Sequence, residues 1–324
     1  LQGSNLPPGL VAGLSASSAP TAALEVDEAW LGVAADALAP ATLTLLNLSR
    51  DQLDRVQEVR RLAERWRGVV EAHPDATVIA NADDPLVAWA GAAGRTVWVG
   101  AGQPWTDDAT SCPACGARIC WDGPRWSCRS CGFERPHPAL SVDGDDLVTE
   151  DGERIPIGMA LPGRANRANA AMAAATAAVL GVRMEDALAA MRHTTTVDGR
   201  YRQARVGRAT ARLLLAKNPA GWIELFDMLA PAPGPVVVVI NARIADGRDP
   251  SWLWDVPFER LAGRSVVASG DRSRDLAVRL CYAGVAHQRI DDPLEAVRSL
   301  GDATVDIAAN YTAMRDINTR LGAA

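Results

Sequence analysis

Two α/β domains, the first carrying a small insertion, are predicted by three observations. In both halves of the chain, short apolar runs of strand length alternate with stretches of helical periodicity. That is the pattern of a parallel sheet covered by helices on both faces. Around residues 107–137 the alternation stops, and a cysteine-rich stretch intervenes. A polar run from His193 to Gly199 then separates the two alternating halves. The domains are therefore expected at 1–197 and 198–324.

The insertion reads Cys112-Pro-Ala-Cys115, twelve residues, then Cys128-Arg-Ser-Cys131. Two Cys-x-x-Cys pairs across a hairpin-length loop are the ligand set of a zinc ribbon, each tight turn supplying two thiolates to a tetrahedron. Two disulfides would suit a secreted, cysteine-dense chain instead. A four-thiolate site leaves no open position, so its role is expected to be structural.

The 324 residues suffice for two sizeable cores. A net charge of -6 argues against a general nucleic-acid binder. No run of about twenty apolar residues predicts a transmembrane helix, and no signal peptide is read. Five of the six cysteines lie within the ribbon region, a pattern that fits a reducing cytoplasm. The chain begins at Leu1 rather than Met, so a preceding segment is expected. Lys217 is the single lysine among 33 basic residues. A compact ammonium on a flexible stem suits a phosphate or acyl phosphate; chance usage is the other explanation.

In order, residues 1–20 are rich in Gly, Pro and Ser and read as a loop. Residues 22–26 read as a short strand ending in Asp27 and Glu28. A helix over 29–38, a strand over 43–48 and a long amphipathic helix over 56–72 follow. Next come a strand over 77–80, the turn Asn81-Ala-Asp-Asp-Pro85, a helix over 86–93 and a strand over 96–100. After the insertion, 140–157 alternates like β-hairpins. An alanine-rich helix runs from Gly163 to Leu180 and a shorter one over Met184–Met191. The second half offers strands at 211–216, 235–240 and 265–268, with helices at 222–229 and 271–282, then further strand–helix units.

Polar residues gather at strand ends, where open α/β sheets place ligands. Glu25, Asp27 and Glu28 fit a Mg²⁺ site beside nucleotide phosphates or a helix cap, and spacing leaves both open. Asp51, Gln52 and Asp54 are equally open. Asp83-Asp84-Pro85 reads mostly as a cap. Asn166 and Asn169, one turn apart, can read a base or cap their helix. Lys217-Asn-Pro-Ala-Gly221 leaves a strand for a helix N-terminus, itself an anion site. Asp246-Gly-Arg-Asp249 follows a strong strand and is either a functional loop or an ordinary polar one. Trp252 and Trp254 fit a core or a partner surface.

Together, Leu24-Glu-Val-Asp-Glu28, the run from Asn47 to Arg55, Asn81-Ala-Asp-Asp-Pro85, the ribbon, Asn166 with Asn169, Ala216-Lys-Asn-Pro-Ala-Gly221, Ala245-Asp-Gly-Arg-Asp249 and Ser251-Trp-Leu-Trp-Asp255 occur in an order that resembles the MurT family. Its members are the Mur-ligase-like subunits of lipid II isoglutaminyl synthase. The resemblance implies a Mur-ligase-type parallel-sheet central domain bearing the ribbon, followed by a Rossmann-like α/β C-terminal domain. It implies ATP-dependent amidation of the D-glutamate α-carboxylate of the lipid II stem peptide, through an acyl phosphate, in peptidoglycan synthesis. Ammonia would come from a GatD-type glutamine amidotransferase partner. ATP, Mg²⁺ and a structural Zn²⁺ are the implied cofactors. The implied place of work is the cytoplasm, at the inner face of the membrane.

By the same resemblance, Glu25 is the Mg²⁺-binding glutamate, while Gln52 falls where related ligases have a metal-binding His. Asn166 and Asn169 lie near the adenine, and Arg200 and Lys217 contact phosphates. Asp249, rather than Asp246 or Asp255, is the acid lent to the partner's Cys–His pair. Two departures stand out. The family's phosphate-binding loop, with its own lysine, falls upstream of Gly3. Asn241-Ala-Arg243 carries Arg243 near where the family more often has an acid. A catalytically inactive scaffold that activates a glutaminase, or a stand-alone Mur-type amino-acid ligase, are the alternative functions.

Overall fold

The computed structural model describes residues 5–49, 59–197, 200–229 and 234–322. These divide into two compact units, one within 5–48, 59–157 and 168–188, the other holding residue 49 and the described residues within 158–167 and 189–322. Among the described residues no helix is long and apolar enough to cross a membrane.

The first unit begins with α1 (Pro7–Ser15) and α2 (Leu31–Leu38), then β1 (Thr42–Leu45), α3 (Val59–Ala72), β2 (Thr77–Asn81), α4 (Pro85–Gly91) and β3 (Arg95–Gly100). A two-stranded ribbon follows, β4 (Cys120–Asp122) against β5 (Arg125–Ser127), then β6 (Leu140–Asp143), β7 (Asp146–Thr149) and β8 (Arg154–Pro156). The sheet order is β1-β2-β3-β6-β7-β8, parallel through β6 and antiparallel thereafter. β2 is buried at every position, as a central strand covered on both faces must be. Leu62, Trp66 and Val70 of α3 recur every four residues and pack on Leu43, Leu45 and Val78. Burying one such side chain contributes roughly 1.5–3 kcal/mol. Helix α5 (Arg164–Val179) bonds to β1 through Thr176 Oγ1 and Thr44 Oγ1, 2.9 Å apart. α6 (Met184–Met191) follows.

Two expectations fail here. Residues within 1–20, expected as a loop, include α1, because Pro at its first positions is preset for a helix start. Residues 22–26 are not a strand; residues 21–25 are exposed and lie in irregular chain.

The second unit holds β9 (Tyr201–Val206), β10 (Ala209–Leu215), α7 (Pro219–Leu229), β11 (Val236–Val239), β12 (Val266–Ser269), α8 (Ser273–Tyr282), β13 (His287–Arg289), α9 (Pro293–Ser299), β14 (Thr304–Ala309) and α10 (Tyr311–Gly322). The sheet order is β13-β12-β11-β14-β10-β9, with only β9 antiparallel. β11 shows how one apolar run builds two cores. Val236 and Val238 pack with Trp222 and Leu225 of α7 and Leu276 of α8. Val237 and Val239 pack with Val297 of α9 and Met314 and Ile317 of α10. Arg212 and Asp306, register partners on β10 and β14, form a two-pronged ion pair at 2.5 and 2.8 Å.

Candidate functional site

In the ribbon, the sulfurs of Cys112, Cys115, Cys128 and Cys131 all lie within 4.8 Å of one another. Cys112 Sγ is 3.7 Å from Cys131 Sγ, and Cys115 Sγ is 3.5 Å from Cys128 Sγ. A Zn–S bond of about 2.3 Å gives a tetrahedral S···S edge of about 3.8 Å. A disulfide needs about 2.05 Å. The donor set therefore fits a tetrahedral ion of the Zn²⁺ type. Both turns have the same backbone plan. Gly116 N donates to Cys112 O at 2.8 Å, and Gly132 N to Cys128 O at 2.9 Å. Those glycines sit at φ 79° and 76°, where a side chain would be strained. Burial pushes the Cys112 thiol up to about 12, while the backbone N–H of Cys131 helps draw Cys128 down to about 7. Zinc binds the thiolate form, so an ion taking four thiolates displaces the protons those thiols hold.

The ribbon is fastened to the end of β2. Trp126 Nε1 donates to Ala82 O at 3.1 Å, and Arg135 Nε to Asp83 Oδ1 at 2.5 Å. Asp83 Oδ2 also accepts from Gly102 N at 2.6 Å. Asp84 caps α4, its Oδ1 accepting from Leu86 N at 2.9 Å and Val87 N at 3.2 Å. Its Oδ2 takes Leu48 N at 2.7 Å and Gln103 Nε2 at 3.1 Å. One buried carboxylate thus joins the chain after β1, the start of α4 and the loop after β3. Burial pushes its pKa up to about 6, against the pull of the backbone donors.

In the second unit the polar residues stand at the C-terminal ends of parallel strands. Lys217 follows β10 and is exposed. Its neighbour Asn218 accepts from Gly221 N at 2.8 Å and Pro219 opens α7, which accounts for the Lys-Asn-Pro-Ala-Gly order. Arg200 is brought to the same edge, since Leu215 N donates to Arg200 O at 3.0 Å. Asn241 and Asn310 lock β11 to β14. Asn241 N donates to Asn310 Oδ1 at 3.0 Å, and Asn310 Nδ2 to Asn241 O at 2.7 Å. Gly270, at φ 90°, passes so close that a Cβ would meet Ile240 O at 2.6 Å.

The acids of the Asp-Gly-Arg-Asp loop separate sharply. Asp246 is buried, accepts from Thr312 N at 2.8 Å and from the Thr312 hydroxyl, and so caps α10. Asp249 is exposed and precedes the short turn Ser251–Trp254, accepting from Ser251 N and Oγ, both at 2.9 Å. Asp255 is also exposed. Arg243 bridges Asp271 at 2.8 Å and Asp316 at 2.5 Å, so a cation rather than an acid steadies this loop. The two carboxylates hold the guanidinium pKa above its ordinary value. The tryptophans divide likewise: Trp252 is in the core, whereas Trp254 is 54% exposed and meets Tyr282 edge-on at 5.3 Å. An open pocket of about 320 Å³ is lined by Asp249, Trp254, Arg274 and Val278.

Among the other residues expected from sequence, Glu25 is exposed in an irregular segment. Asn166 and Asn169 lie on α5, where Asn166 Nδ2 donates to Pro162 O at 2.6 Å and Asn169 is exposed. Asp51, Gln52 and Asp54 lie outside the described residues. Sequence reasoning missed Tyr311, whose ring lies beneath Lys217, and the fastening role of Trp126 and Arg135.

Residues 215–314 match the family model "MurT ligase C-terminal". The MurT subunit of the glutamine-hydrolyzing lipid II isoglutaminyl synthase of Streptococcus pneumoniae is 27% identical over 330 aligned residues, 93% of this chain and 74% of that protein. The chain is MurT-like. Among solved structures, MurF from Acinetobacter baumannii shares 15% identity at a TM-score of 0.59, covering 88% of this chain and 60% of its own. The UDP-N-acetylmuramate-alanine ligase MurC of Thermotoga maritima shares 15% at 0.58, with the same coverage. The MurT-like chain thus has a Mur-ligase-like α/β fold and spans 60% of the length of those two ligases.

The Asp84 carboxyl makes stability depend on pH. Its folded pKa is raised, so the folded chain holds the proton more tightly than the unfolded chain does. Its contribution to stability is then full below pH 3.8 and is lost as pH rises through about 6. Urea unfolding of the native chain and Asp84→Asn across this window should show their stability difference drifting by about 2–3 kcal/mol. Parallel curves would contradict the assignment.

Proposed function

We propose that this chain is the ligase subunit of a lipid II isoglutaminyl synthase. The observation that carries the reading is the MurT likeness, which extends over 93% of the chain and so includes both units. In this reaction the α-carboxylate of the stem-peptide D-glutamate attacks the γ-phosphorus of ATP, and ADP leaves. Ammonia then attacks the acyl carbon of the acyl phosphate, inorganic phosphate leaves, and a proton is lost to give D-isoglutamine. Electrostatic clamping of the phosphoryl group is the expected source of rate.

The residues take roles accordingly. Asn166 and Asn169 are assigned to the adenine, and Arg200 and Lys217 to phosphates. Glu25 would hold Mg²⁺, and an exposed carboxylate suits an ion that takes one or two carboxylates beside substrate phosphates. The ion would neutralise charge on those phosphates. The four cysteines would hold Zn²⁺ in a structural role. Residues 1–197 act as the ATP-binding central domain and 198–324 as the C-terminal domain, working on a lipid-linked substrate at the inner membrane face.

Ammonia is supplied by a GatD-type glutaminase, and Asp249 orients the histidine of its Cys–His pair, as the third member of a triad does. Two observations support Asp249. Asp246 is consumed by its cap on α10, while Asp249 is exposed and lines a pocket with Trp254, which meets Tyr282. Exposed aromatic pairs of this kind suit a partner surface.

Two experiments test these assignments. Asp249→Asn is expected to abolish glutamine hydrolysis by the complex, by about three orders of magnitude or more, while ATP binding persists. Unchanged hydrolysis would move the role to Asp255 or remove it. Metal analysis is expected to find one zinc per chain, and rebinding zinc to stripped protein at neutral pH to release protons. A metal-free chain with an intact ribbon would contradict the zinc assignment.

A further inference from the structure

Lys217 has an unusual environment for a lone lysine. Its Nζ lies 5.4 Å from the centre of the Tyr311 ring, and among the described residues it makes no ion pair. Tyr311 is the first residue of α10, separated from β14 by Asn310 alone, and is 40% exposed. β14 is the parallel neighbour of β10, so the ring and the ammonium stand at adjoining strand ends. The ring's place is fixed on both sides. Asn310 is locked to Asn241, and Thr312 N and its hydroxyl are held by the buried Asp246 carboxylate.

The chemistry of that contact differs from a salt bridge. A carboxylate beside Lys217 would neutralise its charge and occupy its N–H donors. An aromatic face attracts the cation through its quadrupole and leaves charge and donors available to a phosphate oxygen. It also restrains a stem with four rotatable carbons, which otherwise loses entropy on binding.

We propose that Tyr311 is a positioning residue: its ring face holds the Lys217 ammonium at the strand ends, ready for a phosphate group. This rests on the reading that Lys217 contacts the phosphates of ATP. Asp246 holds both Arg243 N, in its own loop, and Thr312 N, beside Tyr311. The loop that carries Asp249 and the support beneath Lys217 share one buried anchor.

The test uses the complete complex in a steady-state amidation assay with ATP varied, together with thermal unfolding of each variant. Tyr311→Leu is expected to raise the KM for ATP about two- to five-fold, the size of a solvent-exposed cation–ring contact. Tyr311→Phe, which keeps the ring, is expected to retain the native KM. A native KM in Tyr311→Leu would overturn the proposal. So would an equal impairment in Tyr311→Phe, or a loss in Tyr311→Leu that falls on kcat alone and tracks a lowered unfolding temperature. Lys217→Ala separates the two levels. If it leaves the KM unchanged, the phosphate role of Lys217 fails, and the positioning role fails with it. If it raises the KM while Tyr311→Leu does not, only the positioning role fails.

Discussion

A buried parallel strand ends in backbone groups that no further strand can pair, and something polar must close each end. Both units meet that constraint with buried side chains. In the first, Asp84 gathers three backbone N–H groups and the Gln103 amide at the ends of β1 and β3. In the second, Asn241 and Asn310 bond to each other's backbone, and Asp246 closes the start of α10. The exposed residues just beyond these closures, Lys217 and Asp249, are thereby displayed from rigid positions.

The same economy explains which polar residues remain for chemistry. Asp246 and Asn218 are fully engaged as caps, and Arg243 is held by two carboxylates. The ribbon has a comparable relation to the first sheet. Trp126 and Arg135 fasten it to Ala82 and Asp83, directly beside Asp84. An insertion that interrupts the strand–helix alternation is therefore joined to the same turn that closes β2.

Much of this was legible in the sequence wherever one local pattern decides the outcome. The paired Cys-x-x-Cys turns, the apolar run at β11 and Met184–Met191 are of this kind. What was hidden depends on neighbours distant in sequence. Neither acid's fate is written in its neighbours, and the approach of Thr312, distant in sequence, engages Asp246 but not Asp249. Trp252 and Trp254 diverge for the same reason. The 22–26 run has strand composition but no strand to pair with, and α1 forms within a stretch whose Gly and Pro content reads as loop. The uniqueness of Lys217 can be counted, but the ring beneath it cannot be foreseen.

The central claim is that this chain turns a carboxylate into an amide at the expense of ATP. The direct measurement supplies the complete complex with ATP, lipid II and glutamine labelled in its side-chain amide nitrogen, then locates the label by mass spectrometry. The account predicts ATP-dependent appearance of the label in the α-carboxamide of the stem-peptide D-glutamate. Label found only as free ammonia, with ATP and lipid II both present, would contradict it and leave a chain that activates a glutaminase without ligating.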